Sequence, residues 1–410
     1  MNKKTIIIAL LTFTFVTPVL AQNIIKKASR SICFSKKNFV DTIKIKVTDG
    51  AVIVPVEIEG KTRRFVLDTG APLGVWQRQK ESWMRPITAD SLIVGDANMN
   101  MGSQTLYQFP AMKMGNLLIE NYPMLVEDAM GDFLCDMFDG VLGFNLVGAG
   151  LSFKLDTKDS LLIVTDKKNF FIEEEKGKPV TKFTMKDPYR PEVIVETPLG
   201  LIESVFDTGA FNIWYELPQE SLDQWLLQYP ENRKMLDNLT EQMDTVIKAS
   251  AGLYGLTTDT LVGRLLHFPT MKIGELPLND FYCTTVHRTM RLGSAILKHA
   301  SLIIDAPRKL FVFLPHNKQD ITVGNSQAGS IALIPADAGD TRGLLKAVIR
   351  KGSTAYQKGI RTGDYLKEVN GIAINDICTY MHIEWKDVET QCKFCSPDGT
   401  EKVVWLIRTN

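Results

Sequence analysis

The sequence predicts a mainly β protein made of two copies of one unit, followed by a smaller α+β module. Three observations predict it. A segment ending in Asp-Thr-Gly-Ala occurs twice. The apolar runs around both copies are short, rich in β-branched residues and separated by Gly, Asn and Asp turns. From about Gln319 the pattern changes to a short helical run, a turn and a strand. With 410 residues, the chain is long enough for about two to four domains.

The first element is an N-terminal export signal. Lys3 and Lys4 precede an apolar run that ends in Val19-Leu20-Ala21, and Gln22 follows. A positive start, an apolar stretch and a small residue at its end are typical of a secretory signal peptide, here residues 1–21. We therefore expect an exported protein, periplasmic or extracellular, without an integral membrane span once the signal is cleaved. An uncleaved membrane anchor is the alternative.

The two units come next, and the repeat covers three blocks. The paired blocks are residues 52–71 with 193–210, 109–115 with 268–274, and 140–156 with 291–305. They recur in the same order about 150 residues apart, which indicates a duplicated domain. We place the units at residues 22–170 and 171–318. An insertion at residues 219–248 has helical spacing, with a break expected near Tyr229-Pro230.

The Asp-Thr-Gly-Ala segments carry the chemistry. A single Asp-Thr-Gly is a common turn sequence, but here both copies follow an apolar run at the same place in the repeat. An element ending in Leu-Gly follows each copy, at Val141-Leu142-Gly143 and Arg291-Leu292-Gly293. This constellation resembles the aspartic proteases, of the retropepsin-like and pepsin-like types, over residues 42–315. The resemblance implies a bilobed acid-protease β-barrel fold with a pseudo-two-fold repeat.

The same resemblance implies a role for each residue of the two segments. Asp68 and Asp207 would form the catalytic pair, and the hydroxyl groups of Thr69 and Thr208 would lock the two loops together. The remaining residues would complete the active-site loops, with the glycines allowing a tight turn: Gly70, Ala71, Gly209 and Ala210.

The chemistry itself explains why two acids are needed. Hydrolysis of an amide requires a base that activates water and an acid that protonates the carbonyl oxygen. Two carboxyl groups a few ångström apart do not both ionise readily, so one keeps its proton and the pair titrates as a unit. Such a pair needs no metal and no cofactor, and we expect neither. The five histidines lack metal-ligand spacing, and no nucleotide-binding motif occurs.

Two hairpins are candidates for flaps that cover the site. The first has its tip at Asn98, Met99 and Asn100. The second has its tip at Gly252, Leu253 and Tyr254. Each follows its acid and is rich in glycine, as retropepsin-type flaps are, and an ordinary exposed hairpin is an equal alternative.

The last element, residues 319–410, resembles a PDZ domain. Residues 352–371 show the family's helix, turn and strand pattern, which ends in Asn370-Gly371. The resemblance places the peptide-binding loop near Ser330, Ile331, Ala332 and Leu333, where no Gly-Φ-Gly-Φ motif occurs. A C-terminal peptide is the ligand that the family implies.

The charge balance and the cysteines bear on nucleic-acid binding, zinc binding and disulfide formation. Lys plus Arg and Asp plus Glu are both 47, and this balance does not favour a nucleic-acid partner. The six cysteines are scattered, and Cys392 and Cys395 lack the second ligand pair of a zinc site. A structural disulfide or unreacted thiols are the favoured interpretations, and pairing among Cys378, Cys392 and Cys395 is left open.

The sequence thus predicts an exported aspartic endopeptidase that acts on peptide or protein segments as a monomer. An enzyme with a single partner protein as substrate is one variant of this prediction. The alternative of another class is a catalytically idle, protease-like protein that binds peptides or serves as a scaffold.

Overall fold

The computed structural model describes residues 7–8, 19–48, 50–88, 91–128, 135, 137–186, 188–317, 320–324, 331–336, 343–383 and 389–406. Strands hold 49% of the chain and helices 15%, so the mainly β class is confirmed. None of the helices in these ranges is both long and apolar enough to cross a membrane.

The part of the chain up to residue 170, which includes the first repeat, contains most of the short strands. Its elements are β1 (Ile7–Ile8), α1 (Val19–Ser29), β2 (Cys33–Phe34), β3 (Val40–Lys44), β4 (Lys46–Thr48), β5 (Ala51–Ile58), β6 (Lys61–Leu67), β7 (Gly74–Trp76), β8 (Arg85–Pro86), β9 (Leu92–Gly95), β10 (Met101–Gln104), β11 (Leu106–Gln108), β12 (Met112–Met114), β13 (Leu117–Glu120), β14 (Pro123–Val126), β15 (Gly140–Leu142), α2 (Asn145–Gly148), β16 (Ser152–Asp156) and β17 (Leu161–Thr165).

The next part of the chain, from the second repeat to residue 324, has longer strands and the helical insertion. Its elements are α3 (Ile172–Glu175), β18 (Val180–Lys186), β19 (Arg190–Thr197), β20 (Gly200–Phe206), β21 (Tyr215–Pro218), α4 (Gln219–Gln228), a 3₁₀ helix (Pro230–Asn232), α5 (Arg233–Leu239), β22 (Thr240–Gly252), β23 (Gly255–Ile273), β24 (Leu276–Thr284), β25 (Val286–Leu292), a 3₁₀ helix (Ser294–Lys298), β26 (Ala300–Asp305), β27 (Leu310–Pro315) and β28 (Ile321–Thr322).

The strand connections repeat as the sequence does. In the first copy β5 and β6 form an antiparallel hairpin, β15 pairs with β6 in parallel, and β7 pairs with β15. In the second copy β19, β20, β25 and β21 pair in the same way. A further strand is equivalent in the two copies. It is β12, which pairs with β5, in the first copy, and β23, which pairs with β19, in the second. Each acid-bearing loop therefore leaves its sheet at an equivalent place.

One sheet joins the two copies. Its order is β3-β17-β16-β26-β27-β18, and β16 pairs with β26 between the copies, with Phe153 opposite Ile304. The copies also share one hydrophobic core, in which the ring centroid of Phe144 from the first copy lies 5.6 Å from that of Phe183 and 6.2 Å from that of Phe311 in the second. Because large aromatic side chains are buried across the junction, the two copies stabilise each other.

The helical insertion is shorter than its pattern predicts. Helices α4 and α5 have the expected break at Tyr229-Pro230, and α4 buries Leu222 and Trp225. The prediction of helix up to residue 248 is wrong, because β22 begins at Thr240 and pairs along β23. The β-branched residues of this stretch favour a strand once a partner strand is beside them.

The C-terminal part has its own sheet and its own core. It contains β29 (Ile331–Pro335), β30 (Leu345–Ile349), α6 (Thr354–Gln357), β31 (Tyr365–Val369), β32 (Ile372–Ala373), α7 (Ile377–Met381), β33 (Thr390–Cys395) and β34 (Glu401–Leu406). The sheet order is β29-β30-β31-β33-β34. The expected short helix is α6, whose N-cap Ser353 accepts a hydrogen bond from the Tyr356 N–H. Asn370 and Gly371 both have positive φ, as their predicted turn requires.

A disulfide connects this C-terminal part to the first repeat. Cys135, in the loop before β15, is bonded to Cys378 in α7 across a separation of 243 residues. None of the pairings among Cys378, Cys392 and Cys395 that the sequence left open is present. Cys392 and Cys395 are free thiols, as are Cys33 and Cys283.

Helix α1 spans the point where signal cleavage is expected. Residues on both sides of that point are buried, with Ala21, Ile25 and Ala28 packed in a small cluster that includes Leu92 and Leu125. Cleavage after Ala21 stays a prediction, as do the unit boundaries.

Candidate active site

The two Asp-Thr-Gly-Ala loops lie against each other where β6 and β20 end. The Asp68 N–H donates to the Leu142 carbonyl oxygen at 2.9 Å, and the Asp207 N–H donates to that of Leu292 at 2.8 Å. These acceptors occupy matched places in β15 and β25. The strand ladders therefore fix both acids at equivalent positions, because each loop begins from the same backbone bond.

The threonines connect the loops by hydrogen bonds between the repeats. The Thr69 hydroxyl donates to the Phe206 carbonyl oxygen at 2.5 Å and accepts the Thr208 N–H at 3.0 Å. The Thr208 hydroxyl donates to the Leu67 carbonyl oxygen at 2.7 Å and accepts the Thr69 N–H at 3.0 Å. Both threonines are buried, so these four bonds are shielded from water.

Each glycine brings its loop close to the opposite acid. A Cβ atom on Gly70 would lie 2.4 Å from the Asp207 Cγ atom, and one on Gly209 would lie 2.3 Å from Asp68 Oδ2. Asp68 Oδ1 accepts hydrogen bonds from the Gly70 N–H at 2.8 Å and the Ala71 N–H at 3.1 Å. Asp207 Oδ1 accepts the matching pair from Gly209 at 2.9 Å and Ala210 at 3.2 Å. Any larger side chain in place of these glycines would push the carboxyl groups apart.

The two carboxyl groups interact directly, and the pKa of Asp68 is raised. Desolvation is the largest cause, and the charge of Asp207 and its hydrogen bond to Asp68 add to it; together they raise the pKa of Asp68 well above its usual range. The bonds from the Gly70 and Ala71 N–H groups oppose this shift without cancelling it. The structure thus brings together all eight residues of the two segments.

Sequence reasoning missed an ion pair beside Asp207. Arg291 Nη1 lies 3.0 Å from Asp207 Oδ2, and Arg291 Nε donates to Glu216 Oε2. Burial lowers the pKa of Arg291, but the charges of Glu216 and Asp207 outweigh it and raise the value overall. The repeat did contain a sign of this ion pair. Arg291 stands where the first repeat has the apolar residue Val141, so a charged residue replaces an apolar one at that position.

The two candidate flap tips contact each other. Asn98 Nδ2 donates to the Ser250 carbonyl oxygen at 2.9 Å, and Asn100 Nδ2 donates to Thr257 Oγ1 at 3.1 Å. The Tyr254 hydroxyl donates to the Val94 carbonyl oxygen at 2.8 Å. Met99 has a φ of 65° at the first tip. That these hairpins act as flaps stays a prediction.

Asp96, which the sequence did not single out, organises this contact. Its carboxylate accepts the N–H groups of Asn98 and Asn100 within its own turn, and it accepts the Tyr254 N–H from the other hairpin at 3.3 Å. An Asp at the start of a tight turn is the local signal for such a role.

An apolar wall flanks the acids. Ala71, Phe211 and Leu253 pack against a buried cluster that contains Val75, Val141 and Phe138. The rings of Phe138 and Phe211 meet edge to face, 6.2 Å apart. Leu253, at the tip of the second hairpin, packs against this wall, so the hairpin contacts the wall.

The candidate peptide-binding residues of the C-terminal part lie in a different sheet. Ser330 lies outside the described residues. Ile331, Ala332 and Leu333 lie on β29, the end strand of its sheet, and pair with β30 on one side. Ala332 is exposed, whereas Ile331 and Leu333 pack against the C-terminal core.

Within the described ranges, no group of three or more His, Cys, Asp or Glu side chains is arranged to hold a metal ion. No protein-family model and no curated protein matches the chain.

Proposed function

We propose that the chain is an exported aspartic endopeptidase that hydrolyses peptide bonds through a water molecule activated by Asp68 and Asp207. A single observation carries the proposal: two carboxyl groups from equivalent loops are in direct contact, and each loop's glycine packs against the other loop's acid. Burying two acids side by side costs free energy, and shared proton chemistry is the use that would account for keeping the pair.

The reaction follows from the charge state of the pair. The ionised carboxylate takes a proton from water while the water oxygen bonds to the carbonyl carbon, and the neutral carboxyl donates its proton to the carbonyl oxygen. The resulting tetrahedral diol then collapses. Its hydroxyl proton returns to the second acid, and the first acid delivers its proton to the amine as the C–N bond breaks.

The surroundings favour an extended peptide with apolar side chains as substrate. The wall that includes Ala71, Phe211 and Leu253 offers apolar surface beside the acids. The hairpins that meet through Asn98 and Tyr254 are suited to covering a bound chain and excluding water. The C-terminal part would act as a PDZ-like module, with the end strand β29 as the edge to which a peptide adds.

The alternative of an idle peptide-binding protein has a specific observation in its favour. Asp207 forms an ion pair with Arg291, and an ion pair is also a way to stabilise a buried acid that takes no part in chemistry. Activity measurements decide between the two proposals.

The test compares Asp68→Asn and Asp207→Asn with the wild type on an unfolded protein substrate between pH 4 and 7, with and without a pepstatin-type inhibitor. Asp166→Asn is the matched control, because Asp166 holds the Asn38 and Phe39 N–H groups in the first repeat and is not part of the pair. We expect cleavage by the wild type and the control only. Equal cleavage by all four proteins would refute the proposed pair, and no cleavage by any folded protein would favour the idle alternative.

A further inference from the structure

The two halves of the site differ at one matched pair of residues. In the first repeat, Val141 on β15 lies opposite Val75 on β7, and both are buried in an apolar cluster. In the second repeat, Arg291 on β25 lies opposite Glu216 on β21. The two places are equivalent, since Val141 and Arg291 pair with the matched residues Val66 and Val205. A symmetric site would not need this difference.

The ion pair is built into the site. Glu216 is 2% exposed, and its carboxylate holds the guanidinium through Nε, which leaves Nη1 directed at Asp207. Asp68, the other member of the acid pair, forms its hydrogen bonds with the Gly70 and Ala71 N–H groups and contacts Asp207. The positive charge therefore lies on one side of the acid pair.

We infer that Arg291, oriented by Glu216, is a positioning residue that fixes Asp207 as the ionised acid and Asp68 as the protonated one. This inference rests on the proposed function and gives each acid a separate role. Asp207 takes the proton from water, and Asp68 donates its proton to the carbonyl oxygen. When the diol collapses, Asp68 regains its proton and Asp207 passes its own to the leaving nitrogen, so both acids return to their starting state.

The charged neighbours of the pair are few in the part of the chain that the structure describes. Asp207 faces Asp68 and Arg291, and Arg291 faces Asp207 and Glu216. An opposite charge in contact with a carboxyl group favours its ionised form, and removing that charge moves its protonation by about 1 to 3 pH units. Because the two acids are coupled, the effect appears in the titration of the pair.

The experiment follows the aspartate side-chain carbons by NMR during a pH titration of the full chain, with the two signals assigned from Asp68→Asn and Asp207→Asn. In the wild type, we expect the signal of Asp207 to show the ionised form while that of Asp68 shows the protonated form. In Arg291→Met, the pair should take up its second proton about 1 to 3 pH units higher than in the wild type. In Glu216→Gln, the arginine charge is no longer shared, so this uptake should move to lower pH.

Arg291→Met and Glu216→Gln should shift the pH of proton uptake in opposite directions. If the ion pair only stabilised the fold, breaking it from either side would have no reason to shift the titration in opposite directions. Arg291→Lys, which keeps the charge, should remain within about half a pH unit of the wild type. The double variant Glu216→Val with Arg291→Val copies the pair of the first repeat and does not leave the Glu216 carboxylate without Arg291, so it replaces Arg291→Met if that variant does not fold. It should show the upward shift as well.

The inference is overturned if Asp68 is the acid that ionises first in the wild type. It is equally overturned if the folded double variant titrates as the wild type does. Failure of the proposed function is a separate result, because a chain that cleaves no substrate still titrates. In an active protein, the acidic limb of the pH–rate profile should move with the NMR titration.

Discussion

Replacing Thr69 with valine tests whether the hydrogen bonds between the two loops hold the acids in place. Valine keeps the shape of threonine but removes the hydroxyl that donates to the Phe206 carbonyl oxygen and accepts the Thr208 N–H. Both backbone groups would then be buried without that partner. Each such loss costs about 1 to 3 kcal/mol, so the free energy of unfolding should fall by about 2 to 6 kcal/mol. This is a large fraction of the roughly 5 to 15 kcal/mol of a typical domain.

The matched control is Thr165→Val. Thr165 is also fully buried, donates to the Phe39 carbonyl oxygen at 2.6 Å and accepts the Lys167 N–H at 3.0 Å, but it lies in β17 and contacts neither acid loop. Urea unfolding should show a similar loss of stability in both variants. Cleavage of an unfolded protein, assayed where both are folded, should fall about 100-fold only in Thr69→Val, because displacing a reacting group by about 1 Å has that effect.

Two results would refute this reasoning. If Thr69→Val unfolds at the wild-type urea concentration, the two bonds of the Thr69 hydroxyl do not stabilise the junction. If Thr165→Val loses as much activity as Thr69→Val, the loss follows from general destabilisation and the positions of the acids are not its cause.

Three further predictions concern the pair and the disulfide. Asp68→Asn should unfold at a higher urea concentration than the wild type at pH 7 and at the same concentration at pH 3. The raised pKa of Asp68 removes about 1.4 kcal/mol of stability from the wild type for each pH unit between the ordinary value of 3.8 and the raised pKa. Equal midpoints of the two proteins at both pH values would contradict this prediction. Gly70→Ala should lower the cleavage rate about 100-fold, because the added methyl group would lie within 2.9 Å of the Asp207 carboxylate and displace it. An unchanged rate would mean that the loop can move to accommodate the methyl group without disturbing the acids. Cys378→Ser should lower the stability of the C-terminal part by about 2 to 5 kcal/mol in thermal unfolding, whereas Cys395→Ser, which removes a free thiol, should have little effect.

The sequence was sufficient for features that repeat or that depend on neighbouring residues. The two Asp-Thr-Gly-Ala loops could be predicted because a duplicated motif after matched strands must occupy matched places. The short helix α6 and the turn at Asn370-Gly371 follow from local capping and turn preferences.

Features that depend on distant partners were missed. Glu216 and Arg291 are 75 residues apart in the chain, and neither has a local signal that points to the other. Strand β22 begins where helical spacing still continues, and only its pairing with β23 decides the outcome. The partner of Cys378 could not be predicted either, because spacing does not determine which thiols pair.

The disulfide between Cys135 and Cys378 also sets an order of events during synthesis. A ribosome delivers the chain from its N-terminus, so the thiol of Cys135 must wait for 243 further residues before its partner exists. Cys33 is present throughout that interval and Cys283 is added during it, and both are free thiols in the finished protein. Cys135, which precedes β15, is therefore linked covalently only after residue 378 has been made. The covalent link to the first repeat therefore forms only after both repeats have been synthesised.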